Sequence, residues 1–230
     1  MATQAEFPLP RRTNMTHRPT RSRNVATLIV THDLGGLHRL FDANRLRLGL
    51  YLFLGILVFA SLLLAFALHY RVTPEVFGAA ARSLHWQPAA LGGALLISAG
   101  WMLTRAGQAG HRGAVGAILM AWSLGLAFLA LRVWEGYLEY GDGLLPLTQP
   151  FGYPGPRPLD ALLFFHFHHL LVIAHAAFVI IAMLTVLPAL GTRDPDRRAA
   201  RLRLAGGYWA LVEIAWLASF TAVYLIGHAP

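Results

Sequence analysis

The chain contains no cysteine and no lysine, and only 13% of its 230 residues are charged. Without cysteine there are no disulfides, iron–sulfur clusters, thiolate zinc sites or cysteine nucleophiles. Any metal would have to take histidine or carboxylate. Without lysine there is no Schiff-base chemistry and no Walker-A phosphate loop, and all 19 basic residues are arginine. The shortage of charge comes with a surplus of apolar residues, 56% of the chain, and a mean hydropathy of +0.51. A soluble domain averages about 45–50% apolar and about 25% charged. One water-soluble core of this size cannot hide the difference, so the chain is predicted to be a membrane protein. The formal net charge of +8 does not make it a nucleic-acid binder. That function needs its basic residues gathered into one patch, and here apolar segments separate them.

A spanning helix needs about 20 mainly apolar residues, because the hydrocarbon layer is roughly 30 Å thick and a helix rises about 1.5 Å per residue. Five segments qualify: Leu46–His69, Pro88–Thr104, Ala114–Trp134, Leu159–Leu187 and Ala205–Ile226. The prediction is an all-α, polytopic five-helix bundle over residues 46–230, preceded by an arginine-rich tail, 1–45. Arginine is retained on the cytoplasmic side of helix ends. Eight arginines lie in or just after the tail, two in the connector after the second span and five in the connector after the fourth. This places the amino terminus in the cytoplasm and the carboxyl terminus on the outer side of the membrane.

The start of the tail has too little apolar surface to fold alone. Leu34, Leu37, Leu40 and Phe41 then recur at helical spacing, which suits either a short interfacial helix or an ordinary juxtamembrane linker. Arg11 and Arg12 form a twin-arginine pair, but the next apolar run begins over thirty residues later, so no cleaved signal peptide is expected. There is no internal repeat, and the Pro/Gly-rich connector 141–158 reads as an irregular surface cap.

Ionisable side chains at bilayer depth cost about 2.5–3.5 kcal/mol each on insertion scales, so each one invites an explanation. The fourth span carries His166, His168, His169 and His175. On a helix His166 and His169 lie about 60° apart, and His168 and His175 share a stripe on roughly the opposite face. With His69, His85 and His228 near the ends of other spans, a histidine site for haem or copper is one reading. Hydrogen bonding between helices is the more ordinary one and the expectation here, since the second, third and fifth spans have no mid-membrane histidine. Glu213 lies about 12 Å inside the fifth span. Such a carboxyl can stay protonated, relay a proton or pair with a histidine of the fourth span, and structural pairing is the expectation. Arg132 and Glu135 are i,i+3 neighbours near the end of the third span, where a salt bridge is expected. Trp101, Trp122, Trp134, Tyr137 and Tyr140 fit helix packing and interfacial belts, and the glycines of the second and third spans permit close helix approach.

Together these patterns resemble subunit III of the haem-copper oxidases, in its short five-helix bacterial form. Gly125 and Phe128 are followed by Glu135 beside Trp134, similar to the family's glycine, phenylalanine and aromatic-flanked glutamate. His166 and His169 reproduce its two histidines separated by two residues. The run from Tyr208 and Trp209 through Glu213 to Trp216, closing on Tyr224 and Gly227, resembles its tryptophan, acid, tryptophan and final tyrosine-x-x-glycine. The likeness covers roughly residues 46–228. There are departures: the family's buried acid in the first span is missing from 51–56, Ala210 stands where histidine is usual, Glu213 where aspartate is commoner, and Phe167 where glycine is usual.

The resemblance implies a non-catalytic accessory subunit. Such a subunit packs beside catalytic subunit I, binds phospholipid in a cleft and helps sustain turnover or proton delivery, with haem and copper in the partner and no cofactor in this chain. Glu135, Arg132, His166, His169, Glu213, Trp209 and Trp216 are then the residues that fix the bundle or contact lipid, and none is expected to ligate metal. Two alternatives stay open: the subunit III-like accessory protein of a nitric oxide reductase, and an independent histidine-rich haem or copper protein. A transporter has less behind it, since no inverted repeat or charged pore lining is visible.

Overall fold

Proline sets the start of three helices in the computed structural model, which describes Gly49 and residues 53–147 and 151–225. The first span continues as α1, Phe53–Val72. Thr73 breaks it in a non-helical conformation (φ −134°, ψ 58°) because Pro74 follows, and the residue before proline is driven out of the α region. Pro74 then opens α2, Pro74–Arg82. Four longer helices complete the bundle: α3, Trp86–Gln108; α4, His111–Gly141; α5, Pro158–Leu190; and α6, Pro195–Phe220. A π-helical turn, Thr221–Leu225, ends α6. The described residues contain no strand. Helices α1, α3, α4, α5 and α6 with its π turn are long and apolar enough to cross a membrane, so the protein is an all-α, multi-pass membrane bundle.

The predicted ends need correction in three places. The connector after the first span holds α2, whose Val76, Phe77, Ala80 and Ala81 are buried; nine residues are too short to register as a span, and the helix packs on its side against α5. The third span runs on to Gly141, two turns past the predicted end at Trp134. The fifth begins at Pro195, ten residues early, with the Asp194 carboxylate accepting from the backbone N–H groups of Asp196 and Arg197 as an N-cap. In both spans the charged residues that lower hydropathy sit inside the helix. The tail with its candidate interfacial helix, most of 46–52, and His228 lie outside the described residues.

Helices α3, α4 and α6 form the tight part of the bundle, and α5 joins it along α6 and α4. Close approach rests on small residues. A methyl group on Gly93 would sit 2.7 Å from Trp216 Nε1, and one on Gly100 would run into the Glu213 carboxyl. Helix α1 leans on α5 through rings: Phe59 meets Phe178 at 5.8 Å, and Phe66 meets Phe164 at 5.7 Å. Large apolar side chains such as Leu64, Ile97, Leu126, Ile173 and Ile214 face outward, the inverse of a soluble domain. Trp134, Tyr137 and Tyr140 are exposed around the last turns of α4, as an aromatic belt requires.

The two ends of the bundle differ. At the end made by the α3–α4 and α5–α6 turns, arginine closes orphan helix carbonyls. Arg198 donates to the oxygens of Thr192 and Ala109, and Arg201 donates to Pro188 O at 2.7 Å. The opposite end is covered by α2 and by residues 142–147 and 151–157, with Phe151 and Tyr153 against Phe165. The polar cluster lies beneath that cover.

Candidate functional site

Helix α4 presents Arg132, Glu135 and Glu139 at i, i+3 and i+7, one stripe of a 3.6-residue repeat, and all three are buried. Helix α5 brings His168 and His169, and the π turn brings Tyr224. π turns recur at functional sites because the extra residue re-aims side chains. Arg132 and Glu135 form the expected salt bridge, within the bundle and not on its surface. The Tyr224 hydroxyl donates to Glu135 Oε1 at 2.7 Å, and Arg132 Nη1 donates to that hydroxyl at 3.3 Å. The Arg132 guanidinium also lies over the Trp216 ring, 4.7 Å from its centroid. Buried charge is tolerated when paired and hydrogen-bonded in this way.

Glu139 reaches α5 one turn further along. Its Oε1 is 2.9 Å from His168 Nε2, and its Oε2 is 2.9 Å from His169 Nε2. Consecutive residues on a helix point about 100° apart, so the two imidazoles straddle the carboxylate with ring centroids 4.9 Å apart. The His168 ring stands edge-on to Tyr224 at 5.6 Å, which joins the two halves of the cluster.

The remaining predicted residues fall elsewhere. His166 is exposed, with Nδ1 bonded to Leu162 O one turn back; of the pair at i and i+3, only His169 enters the cluster. His175 is buried, and its Nε2 donates to Val212 O on α6 at 2.9 Å, so His168 and His175 do bond between helices. They are seven residues apart on one helix, about 10.5 Å along its axis. Two axial ligands of one haem must face each other across a single iron, and this pair does not. Trp209 is buried and donates from Nε1 to Leu96 O at 3.1 Å. Trp216 is buried among Phe128, His175 and Arg132. Glu213 departs from the expectation of a histidine partner. It points at Gly100 of α3, and its Oε1 is buried with no hydrogen-bond partner. His175 spends its Nε2 on the backbone oxygen of Val212 instead, so it offers Glu213 no bond through that nitrogen. His69 bonds to Ala65 O, and His85 meets Asp142 at 2.9 Å, so neither reaches the cluster.

Glu139 and Tyr224 had no assigned role in the sequence reading. Glu139 could have been found as the next member of the Arg132–Glu135 stripe, once the helix is continued beyond Trp134. Tyr224 is named in the closing run of the resemblance, but its hydrogen bond to Glu135 joins residues 89 apart in the chain, which spacing does not give.

No protein-family model matches the chain, and no curated protein matches it.

Proposed function

We propose that this protein is a non-catalytic accessory subunit of a respiratory membrane complex, similar to subunit III of the haem-copper oxidases, and that it works beside a catalytic subunit carrying the haem and copper. One observation carries the reading. Residues from three parts of the resemblance, Glu135 of α4, His169 of α5 and Tyr224 after α6, lie far apart in the chain and belong to one buried network. A network of this kind fixes helix rotation and angle in a bundle where apolar packing alone is permissive. The outward apolar faces of the helices suit lipid and a membrane neighbour equally well. A cleft of about 360 Å³ between α3 and α6, lined by Leu103, Leu202, Gly206 and Arg203 among others, suits the acyl chain and phosphate of a phospholipid. The distribution of arginine supports an amino terminus in the cytoplasm, and the resemblance implies a bacterial inner membrane with the carboxyl terminus on its periplasmic or extracellular side.

Affinity purification of the full chain in mild detergent, with mass spectrometry and a haem spectrum of the assembly, tests this. A haem-copper catalytic subunit should co-purify, and the chain freed of it should be colourless. Recovery of a nitric oxide reductase large subunit would move the assignment to denitrification. A Soret band that stays with the isolated chain would defeat the accessory reading.

A further inference from the structure

The pairing of Glu139 with two imidazoles needs one positive charge between Glu139 and His169, which either a second proton on His169 or a bound cation supplies. A neutral imidazole has one N–H and one lone pair. His169 Nδ1 is 2.7 Å from Phe165 O, an oxygen that can only accept, so Nδ1 carries the hydrogen and Nε2 the lone pair. That Nε2 is buried without a hydrogen bond, yet it lies 2.9 Å from Glu139 Oε2. With a neutral ring two lone pairs face each other there, and a cation between them removes the clash. Arg132, the fixed cation of the cluster, is ion-paired with Glu135.

We propose that Glu139, His168 and His169 bind one divalent first-row transition-metal ion of the zinc type, through two imidazole nitrogens and a carboxylate oxygen. The donor chemistry fits: imidazole suits zinc, copper and nickel, and the carboxylate offsets one of the two charges. The candidate ligand atoms all lie within 4.8 Å of one another. A tetrahedral ion with bonds of about 2.0–2.2 Å holds its donors roughly 3.3–3.6 Å apart, so small side-chain rotations close the site. The hydrogen bond from His169 Nδ1 to a backbone carbonyl is the second-sphere contact that holds a ligand imidazole in the metal-binding tautomer. Glu139 and His168 are almost wholly buried, whereas the His169 side chain is 19% exposed. His169 is thus the ligand nearest the surface of the bundle, and rotation of its ring gives the ion its way in. Any proton held by the imidazoles departs to solvent as the ion enters. The site would tie α4 to α5 near the covered end of the bundle. This departs from the sequence expectation that these histidines ligate nothing, and it is independent of the accessory-subunit reading, because an ion here does not decide which catalytic subunit co-purifies.

The test uses the full chain in mild detergent, stripped with a chelator and titrated with Zn²⁺ alone under equilibrium dialysis and elemental analysis. One ion per chain is expected. His169→Gln and Glu139→Gln should each weaken binding at least tenfold, and His166→Gln should leave it unchanged. His169→Gln is the decisive variant, since the residue is partly exposed, and its gel-filtration profile and helical circular dichroism are compared with the parent. X-ray absorption at the zinc edge of the parent protein, which needs no variant, should count two imidazoles. Absence of saturable binding below about 1 mM Zn²⁺, equal binding by folded His169→Gln, or a count other than two overturns the proposal. In the first of those outcomes an imidazolium, not a metal, faces Glu139.

Discussion

Glu139 and Glu213 both lie inside membrane-spanning helices, yet the first meets two imidazoles and the second meets a glycine. Around Glu139 the helices meet through polar side chains and rings, and an imidazole nitrogen lies 2.9 Å from each carboxylate oxygen. Around Glu213 they meet through Gly93 and Gly100, close enough that Trp209 and Trp216 of α6 pack directly on α3, and one carboxyl oxygen goes without a hydrogen bond. The bundle is thus held in two ways, by a polar network toward the covered end and by close apolar contact through its middle. Loss of a partner should be costly in the first region. In the second, loss of space should be.

The largest effect is expected from Glu139→Ala. Removing one member of a buried ion pair leaves the others uncompensated and typically costs about 3–5 kcal/mol, to be read as a fall in unfolding midpoint in detergent. A loss below about 1 kcal/mol would show that the network does not hold α4 to α5. Next comes Gly93→Ala. Its methyl would press on the Trp216 indole, and overpacking costs about 1–3 kcal/mol; denaturant titration followed by tryptophan fluorescence would report both the loss and the displaced ring. Glu213→Gln should change stability by less than about 1 kcal/mol, because the amide keeps the shape of the carboxyl and the oxygen it replaces at Oε1 has no hydrogen bond to lose. A thermal midpoint lowered as far as that of Glu139→Ala would erase the contrast between the two carboxylates. His166→Gln, on an exposed face, should stay within about 0.5 kcal/mol of the parent, and the same melting curves serve as its control.

The class of protein and the number of apolar helices were legible because hydropathy over some 20 residues is a local sum. The ends were less so. At the third span the sum falls once Arg132, Glu135, Glu139 and Asp142 enter the window, although the first three are buried and paired. The same effect hid the first turns of α6, where Arg198 is buried and bonded to neighbouring turns. Within the candidate site, the salt bridge of Arg132 and Glu135 could be read from i,i+3 spacing. The choice of His168 over His166 as a partner of Glu139 could not, since spacing puts the two on opposite faces of one helix without saying which face turns toward α4.

Composition and periodicity alone therefore determined that this is a membrane bundle of long helices with histidine and carboxylate at depth, since these are properties of single segments. Which buried groups meet was decided by the tertiary structure. Consecutive side chains on a helix point about 100° apart, so a small change in helix rotation decides which residue of a segment faces a partner, as exposed His166 and buried His168 of one helix show, and that rotation is set by packing between helices, which no one segment encodes.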